Sequence, residues 1–551
     1  AMLQLEEYDG FGTSSNLMFG FTGPIDPDTI NSDSVQLYRV ADPPILVPTT
    51  PVVLDDQIHV ELTLDDGHVD AEAEYAVVVR NSVRDAAGNR VALMPVGHFL
   101  KSHSPLFVDG HSQVGAVPDE DARKVEGVRE QVGDFLNVLD ADDVLASWTF
   151  TTMSEEQPLE TWMAQPELLA VDPDPHDVTH MTPGQAVADF PLGIGALFNV
   201  GDVYNGTIAS PIFLDPLTRG WRADGGHNVE QIPFTMTVPR NVPAGQPLPV
   251  VIFGHGVMSE RRFVLAVADR LAAKGYAAIA IDLPFHGDRT YCWSEGPLSV
   301  PDPQTGELTS LEPCESGTTC QPDGRCTDAS GQGNHLAKWP VIGMYSASGA
   351  AFIEIEKVAN TRDHFRQSLI DLSSLSRALQ KGDWESAIGH RLKTDKLYYA
   401  GQSLGSIIGA TFVAFSPEIE RAVLNVPGAD VVDLFDASSV FHPQIEAFFR
   451  REGVDRESYN GHRFMNVARW IMDAADPQSF GTRLFGRDVL IQMATLDFII
   501  PNEYTLTLQE VSGLPRRDYV AEHAFIVVPV EPEYLRGNND LADFIAGDLQ
   551  P

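Results

Sequence analysis

The sequence predicts two folds in one chain: an all-β sandwich, then a mostly parallel α/β sheet with helices on both faces. Residues 1–152 carry short alternating runs separated by turn residues, the pattern of half-buried strands. From about residue 196 short apolar runs alternate with helical periodicity, as strands covered on both faces do. At 551 residues the chain also exceeds one ordinary core.

Within residues 1–152, Leu17, Phe19 and Phe21 alternate, as do Ala146, Trp148 and Phe150. Ile58 to Leu64 alternates strictly, and Tyr75 to Val79 is a further strand. Gly23-Pro24, Asp65-Asp66-Gly67 and Asp85 to Asn89 supply the turns. One helix, Asp121 to Leu139, places Val125, Val128, Val132, Phe135 and Leu139 on one face. Four pieces resemble bacterial Ig-like modules: Pro24-Ile25-Asp26 with Thr29, Asn31 to Leu37, Asp85 to Asn89, and Trp148 to Thr152. The resemblance implies a spacer or docking piece, and no residue here suggests catalysis. Residues 153–195, rich in Pro and Asp, read as a linker. The run Asp172 to Asp177 lacks the glycine of a tight calcium loop.

In residues 196–551 the expected strands are Pro249–Phe253, Tyr276–Leu283, Leu397–Ala400, Ala422–Val426, Val489–Ala494 and Ala524–Val528. Helices are expected at Phe263–Lys274, closed by Gly275, along the face Phe365, Leu369, Leu372, Leu375 and Leu379, and from Leu404. Two insertions interrupt the pattern, one over 288–345 and a helical cap over 428–486 rich in Phe435, Phe441, Phe448, Phe449, Phe464, Trp470 and Ile471. An amphipathic cap over an apolar pocket has this composition.

Composition excludes several classes of function. With 37 Lys+Arg against 78 Asp+Glu the formal charge is −41, so the surface repels nucleic acid and anionic membranes at long range. No apolar run reaches the roughly 18 residues of a membrane span. The first residues show no signal-peptide pattern, which bears on export in neither direction. Cys292, Cys314, Cys320 and Cys326 cluster in a polar, turn-rich segment that cannot build its own core, and two disulfides are expected to hold it. Three pairings are open. Zinc is disfavoured because the spacings lack close Cys-x-x-Cys pairs. Disulfides imply an oxidising location: periplasm, cell surface or medium.

The chemistry centres on Gly401-Gln402-Ser403-Leu404-Gly405, a G-x-S-x-G between a strand and a helix. There a serine sits on a strained turn, and the helix that follows offers its positive end to developing negative charge. A hydroxyl needs a base to attack. Asp497 follows the strand Val489–Ala494, and His523 comes 26 residues later, before the run Ala524–Val528. The order Ser403, Asp497, His523 resembles that of the α/β-hydrolases, and the resemblance implies Asp497 as the acid that orients the imidazole and His523 as the base that takes the Ser403 proton. Glu503 lies deeper in the next element, and His462 precedes the acid strand, so both are weaker candidates. The backbone N–H of Leu404 is one expected oxyanion donor; the loop Gly254-His255-Gly256-Val257-Met258 resembles the His-Gly-X loop of bacterial lipases, and that resemblance implies Val257 as the other. His255 and His286 are expected to orient loops.

These four motifs, in this order, resemble the α/β-hydrolase lipases and esterases over about 196–551. More loosely, the whole chain resembles large secreted bacterial lipases with an N-terminal Ig-like module. One departure is Ser406, where many lipases have glycine. The resemblance implies a serine hydrolase that cleaves carboxylic esters through an acyl-enzyme, without metal or cofactor. Its substrate would be a small-molecule, lipid or polyester ester, with peripheral contact to a lipid surface left open, as is the oligomeric state. A serine peptidase or acyltransferase on the same fold, or an inert binding protein, are the competing expectations.

Overall fold

The structure, a computed structural model, describes residues 8–102, 104–139, 143–190, 197–243, 245–292, 298–301, 308–339 and 343–550. The chain divides into two compact units, one of residues 1–155 with 449–473, the other of 156–448 with 474–551.

In the first unit, strand His59–Leu64 lies between Leu17–Gly20 and Thr49–Val53 in an antiparallel three-stranded sheet. A second antiparallel sheet runs in the order Ile45–Val47, Val35–Arg39, Glu74–Arg80, Val144–Thr151. Alternate residues of both sheets share one core, with Val35, Leu37, Val60, Leu62, Tyr75 and Val77 buried. The other face of the second sheet, Tyr38, Ala76 and Val78, is covered by Val132, Phe135 and Leu136 of the helix Asp119–Val138. That helix starts two residues earlier than the periodicity predicts. Asp119, Glu120 and Asp121 fill its first turn, where negative charge is favoured.

The helix Tyr459–Asp473 also belongs to this unit. Glu61 accepts the Asn466 side-chain N–H at 2.7 Å and pairs with His462 Nδ1 at 2.7 Å. Asp473 accepts the Thr13 N–H at 2.7 Å. The insertion expected as one cap over 428–486 is therefore divided: Val431–Ala437 lies in the second unit and Tyr459–Asp473 in the first. Apolar periodicity shows that a helix face is covered, not which core covers it.

The second unit is built on a nine-stranded sheet. Its order is His176–Met181, Val200–Ile212, Asn228–Pro239, Ala277–Ile281, Val250–Gly254, Leu397–Gln402, Ile419–Asn425, Val489–Ala494, Arg516–Tyr519. The last six strands pair in parallel; the first three pairings are antiparallel. On one face Val251, Phe253, Ala278, Ala280 and Ala400 pack against the helices Leu265–Ala273 and Tyr534–Ala546. On the other, Tyr399 meets Phe412 of the helix Leu404–Phe415.

Two expectations need correction here, and one element was missed. Residues 153–195 are not a plain linker: they hold the helices Glu156–Met163 and Pro183–Asp189 and the edge strand His176–Met181. The long hairpin Val200–Ile212 with Asn228–Pro239 was not foreseen. The run Ala524–Val528 is a turn after the last strand, not a strand, although Phe525, Ile526 and Val527 are buried. An apolar run reports burial, and burial alone does not set backbone shape.

The cysteine insertion contains two disulfides, Cys292–Cys320 and Cys314–Cys326. Cys292, Cys326 and Leu336 are its small buried cluster. Among the described residues no helix is long and apolar enough to cross a membrane.

Candidate active site

The buried strand Leu397–Gln402 ends at Ser403, and the helix Leu404–Phe415 begins at once. Ser403 has φ 56° and ψ −122°. A non-glycine residue held there costs on the order of 1–3 kcal/mol and must be fixed by its surroundings. The fixing groups are visible. The Asn425 carbonyl accepts the Ser403 N–H at 3.0 Å and the Ser406 hydroxyl at 2.8 Å. Ser406, the departure noted in the sequence, is thus a brace for the turn. The Asn425 side chain in turn donates to Gln492 at 3.1 Å. A Cβ at Gly405 would overlap the Gly254 backbone, so only glycine lets the helix approach the strand Val250–Gly254 this closely.

Three side chains meet at this turn. His523 Nε2 lies 2.8 Å from Ser403 Oγ, and His523 Nδ1 lies 2.7 Å from Asp497 Oδ2. With Nδ1–H donating to the carboxylate, Nε2 accepts the serine hydroxyl. The other oxygen, Asp497 Oδ1, accepts the N–H groups of Ile499 and Ile500, each at 2.9 Å. Both carboxylate oxygens are therefore engaged, and the acid cannot swing away from the ring. Ser403, Asp497 and His523 are all buried below a tenth of full exposure. The loops bearing Asp497 and His523 are tied by backbone bonds, Thr495 N–H to the Tyr519 carbonyl at 2.8 Å and Leu496 N–H to the Ala521 carbonyl at 3.1 Å.

The weaker candidates stand elsewhere. Glu503 is exposed in the first turn of the helix Asn502–Ser512. His462 belongs to the first unit, against Glu61.

Of the expected oxyanion donors, Leu404 opens the helix, where N–H groups lack intrahelical partners. Val257 sits in the turn after strand Val250–Gly254, beside Gly256, where an added Cβ would come within 3.2 Å of Ser403 Cβ. His255 is fully buried: its Nδ1–H donates to the Gly256 carbonyl at 2.9 Å and its Nε2 accepts the Leu283 N–H at 3.1 Å. Burial holds its pKa below the ordinary imidazole value, which keeps it neutral and suited to accept that bond. His286, also buried, donates to the Pro284 carbonyl at 2.8 Å.

Two supporting residues were not singled out in the sequence. Gln402 reaches the His523 carbonyl at 3.5 Å, a long contact. Asp476 is buried and accepts the N–H groups of Asp430, at 3.0 Å, of Val431, and of Gln478, at 2.9 Å, which fixes the chain after strand Ile419–Asn425. Burial pushes its pKa up to about 6. The signal for it was present: Asp476-Pro477 is an N-cap followed by proline at the first helical position.

No protein-family model matches the chain, and no curated protein does. Among solved structures, an acetyl xylan esterase from Thermoanaerobacterium sp. is similar at 15% identity and TM-score 0.39, covering 72% of this chain and 94% of that one. An acetyl xylan esterase from Paenibacillus sp. R4 is similar at 16% identity and TM-score 0.38, covering 67% of this chain and 90% of that one. An esterase from Pseudomonas putida ECU1011 is similar at 14% identity and TM-score 0.32, covering 72% and 98%. At these identities and TM-scores the likenesses bear on neither reaction nor substrate.

Proposed function

We propose that the second unit is an α/β-hydrolase-fold serine hydrolase that cleaves carboxylic esters. One observation carries this reading: the unbroken chain Ser403 Oγ, His523 Nε2, His523 Nδ1, Asp497 Oδ2, with links of 2.8 and 2.7 Å. In the proposed reaction His523 removes the Ser403 proton as Oγ attacks the ester carbonyl. The tetrahedral oxyanion is held by the N–H groups of Leu404 and Val257. The carbon–oxygen bond to the alcohol then breaks, and His523 gives its proton to the departing oxygen. Water, deprotonated by the same imidazole, attacks the acyl-enzyme; the acid leaves and Ser403 regains its proton. Asp497 keeps the ring in the required tautomer and offsets its positive charge.

The first unit is, in this reading, an Ig-like spacer or docking piece, and its two sheets with a common core support that. The two disulfides support an oxidising location, at the cell surface, in the periplasm or in the medium.

Ser403→Ala is expected to lower kcat on p-nitrophenyl esters by at least about 10⁴-fold with unchanged circular dichroism. Wild-type turnover by that variant would end the proposal. Faster cleavage of amides than of matched esters would instead indicate a peptidase. A fluorophosphonate that fails to label Ser403 would indicate an inert site.

A further inference from the structure

The first unit contains a cavity of about 760 Å³, within the range of roughly 300–1,000 Å³ typical of small-molecule sites. Its position follows from strand order. Leu17–Gly20 is an edge of the three-stranded sheet and Val144–Thr151 an edge of the four-stranded one. Residues from both edges line the cavity, and the segment 85–101, with the helix Pro95–Leu100, forms the opposite wall. The apolar lining includes Phe19, Phe21, Leu145, Trp148, Met94 and Leu100. Phe19 and Trp148 meet edge to face, with centroids 5.2 Å apart.

One further observation indicates the polar end of an occupant. The charged lining runs against the composition of the chain. Acidic residues outnumber basic ones 78 to 37 overall, yet the cavity has two cations, Arg90 and Lys101, and one acid, Asp85. The Asp85 carboxylate is already used, accepting the backbone N–H groups of Ala87 and Asn89 and the Asn89 side chain. Lys101 donates to the Val144 carbonyl, and exposed Arg90 makes no ion pair among the described residues.

We infer that this cavity binds a fatty acid, its chain between the two sheet edges and its carboxylate toward Arg90 and Lys101. A neutral hydrocarbon would leave Arg90 without an anionic partner. A single aliphatic chain suits the aromatic and aliphatic walls. The site is independent of Ser403 and would stand if the hydrolase reading fell.

The test uses the full chain and a palmitate analogue with a mid-chain diazirine, cross-linked by light and mapped by peptide mass spectrometry. Cross-links within 85–101 or 145–148, at about one per chain, are expected. Cross-links confined to peptides carrying Ser403 or His523 would overturn the inference. By calorimetry, affinity should rise roughly fourfold per added methylene from octanoate until the cavity is full. Ala92→Trp, an exposed residue of the lining, and Arg90→Glu should each weaken palmitate binding at least tenfold, without changing Tm or ester turnover. Binding untouched by both variants, or equal affinity for palmitate and its primary alcohol, would refute the site or its anionic head group.

Discussion

Asp497 has the more demanding position of the two residues that flank the His523 ring. One of its oxygens holds the ring and the other accepts the Ile499 and Ile500 N–H groups, so its orientation is fixed from two sides. Asp497→Asn is expected to keep the fold and to lower kcat by roughly 10⁴-fold, because an amide that donates to Nδ1 turns the imidazole into the wrong tautomer. Esterase assays on the purified variant check this, and a loss below tenfold would contradict the assigned role. Ser406→Ala removes the hydroxyl bond to the Asn425 carbonyl. A loss of about 1 kcal/mol in chemical denaturation is expected. Much of this site was legible in the sequence because each part has a local signature: a glycine-flanked serine between strand and helix, and an aspartate just past a buried strand. Asn425 and Gln402 were not, since their partners lie far along the chain; for Asp476 the local N-cap signature was present, but its bonds to Asp430 and Val431 were not legible.

At the scale of elements, the helix Val358–Lys381 is unusual in burying much of its polar sequence. Its neighbour Glu354 pairs with Arg219 through two bonds, at 2.8 and 3.1 Å, and also accepts the Asn360 side chain at 3.1 Å. Both members of the ion pair are almost wholly buried. Removing one partner leaves the other charge desolvated, so Glu354→Ala is expected to cost about 3–5 kcal/mol, read from the urea midpoint. The cysteine insertion is the opposite case: among its described residues the buried apolar cluster is Cys292, Cys326 and Leu336. Thiol reduction should raise hydrogen exchange over 314–336 and leave 59–80 in the first unit unchanged. Equal protection in both redox states would show that packing, not the disulfides, holds the insertion. The sequence placed the four cysteines together but left three pairings open. Spacing constrains neighbours along the chain, whereas pairing is decided by how the loop folds back.

For the molecule as a whole, the three wholly buried histidines among the described residues govern the response to mild acid. His255, His286 and His364 all have pKa values lowered by burial. The unfolded chain, with values of about 6.5, takes up protons that the folded chain refuses. Stability from these groups is therefore present above about pH 6.5 and is lost as pH falls below it. Asp476 acts the other way: raised to about 6 from 3.8, its contribution is present at low pH and lost as pH rises through 6. Glu260, whose carboxyl pKa burial also raises, acts as Asp476 does; three groups against two leave a net loss on acidification, on the order of 1 kcal/mol per pH unit. Tm measured from pH 7.5 to 5 should fall, and a flat profile would contradict the account. Strand and helix alternation was legible at this scale, since it is written in local periodicity. The division of the segment 428–486 between units was not, because amphipathic helices of either unit carry the same pattern.

That division has a consequence for how the polypeptide is made. A ribosome that has released residues 1–155 has not yet produced the helix Tyr459–Asp473, on which Glu61 and Thr13 depend. The nascent N-terminal portion must wait, incomplete, while some three hundred residues of its companion emerge. A gene fragment stopping at 155 would accordingly yield an unfinished product, and a synthetic peptide covering 449–473, added in trans, should restore it.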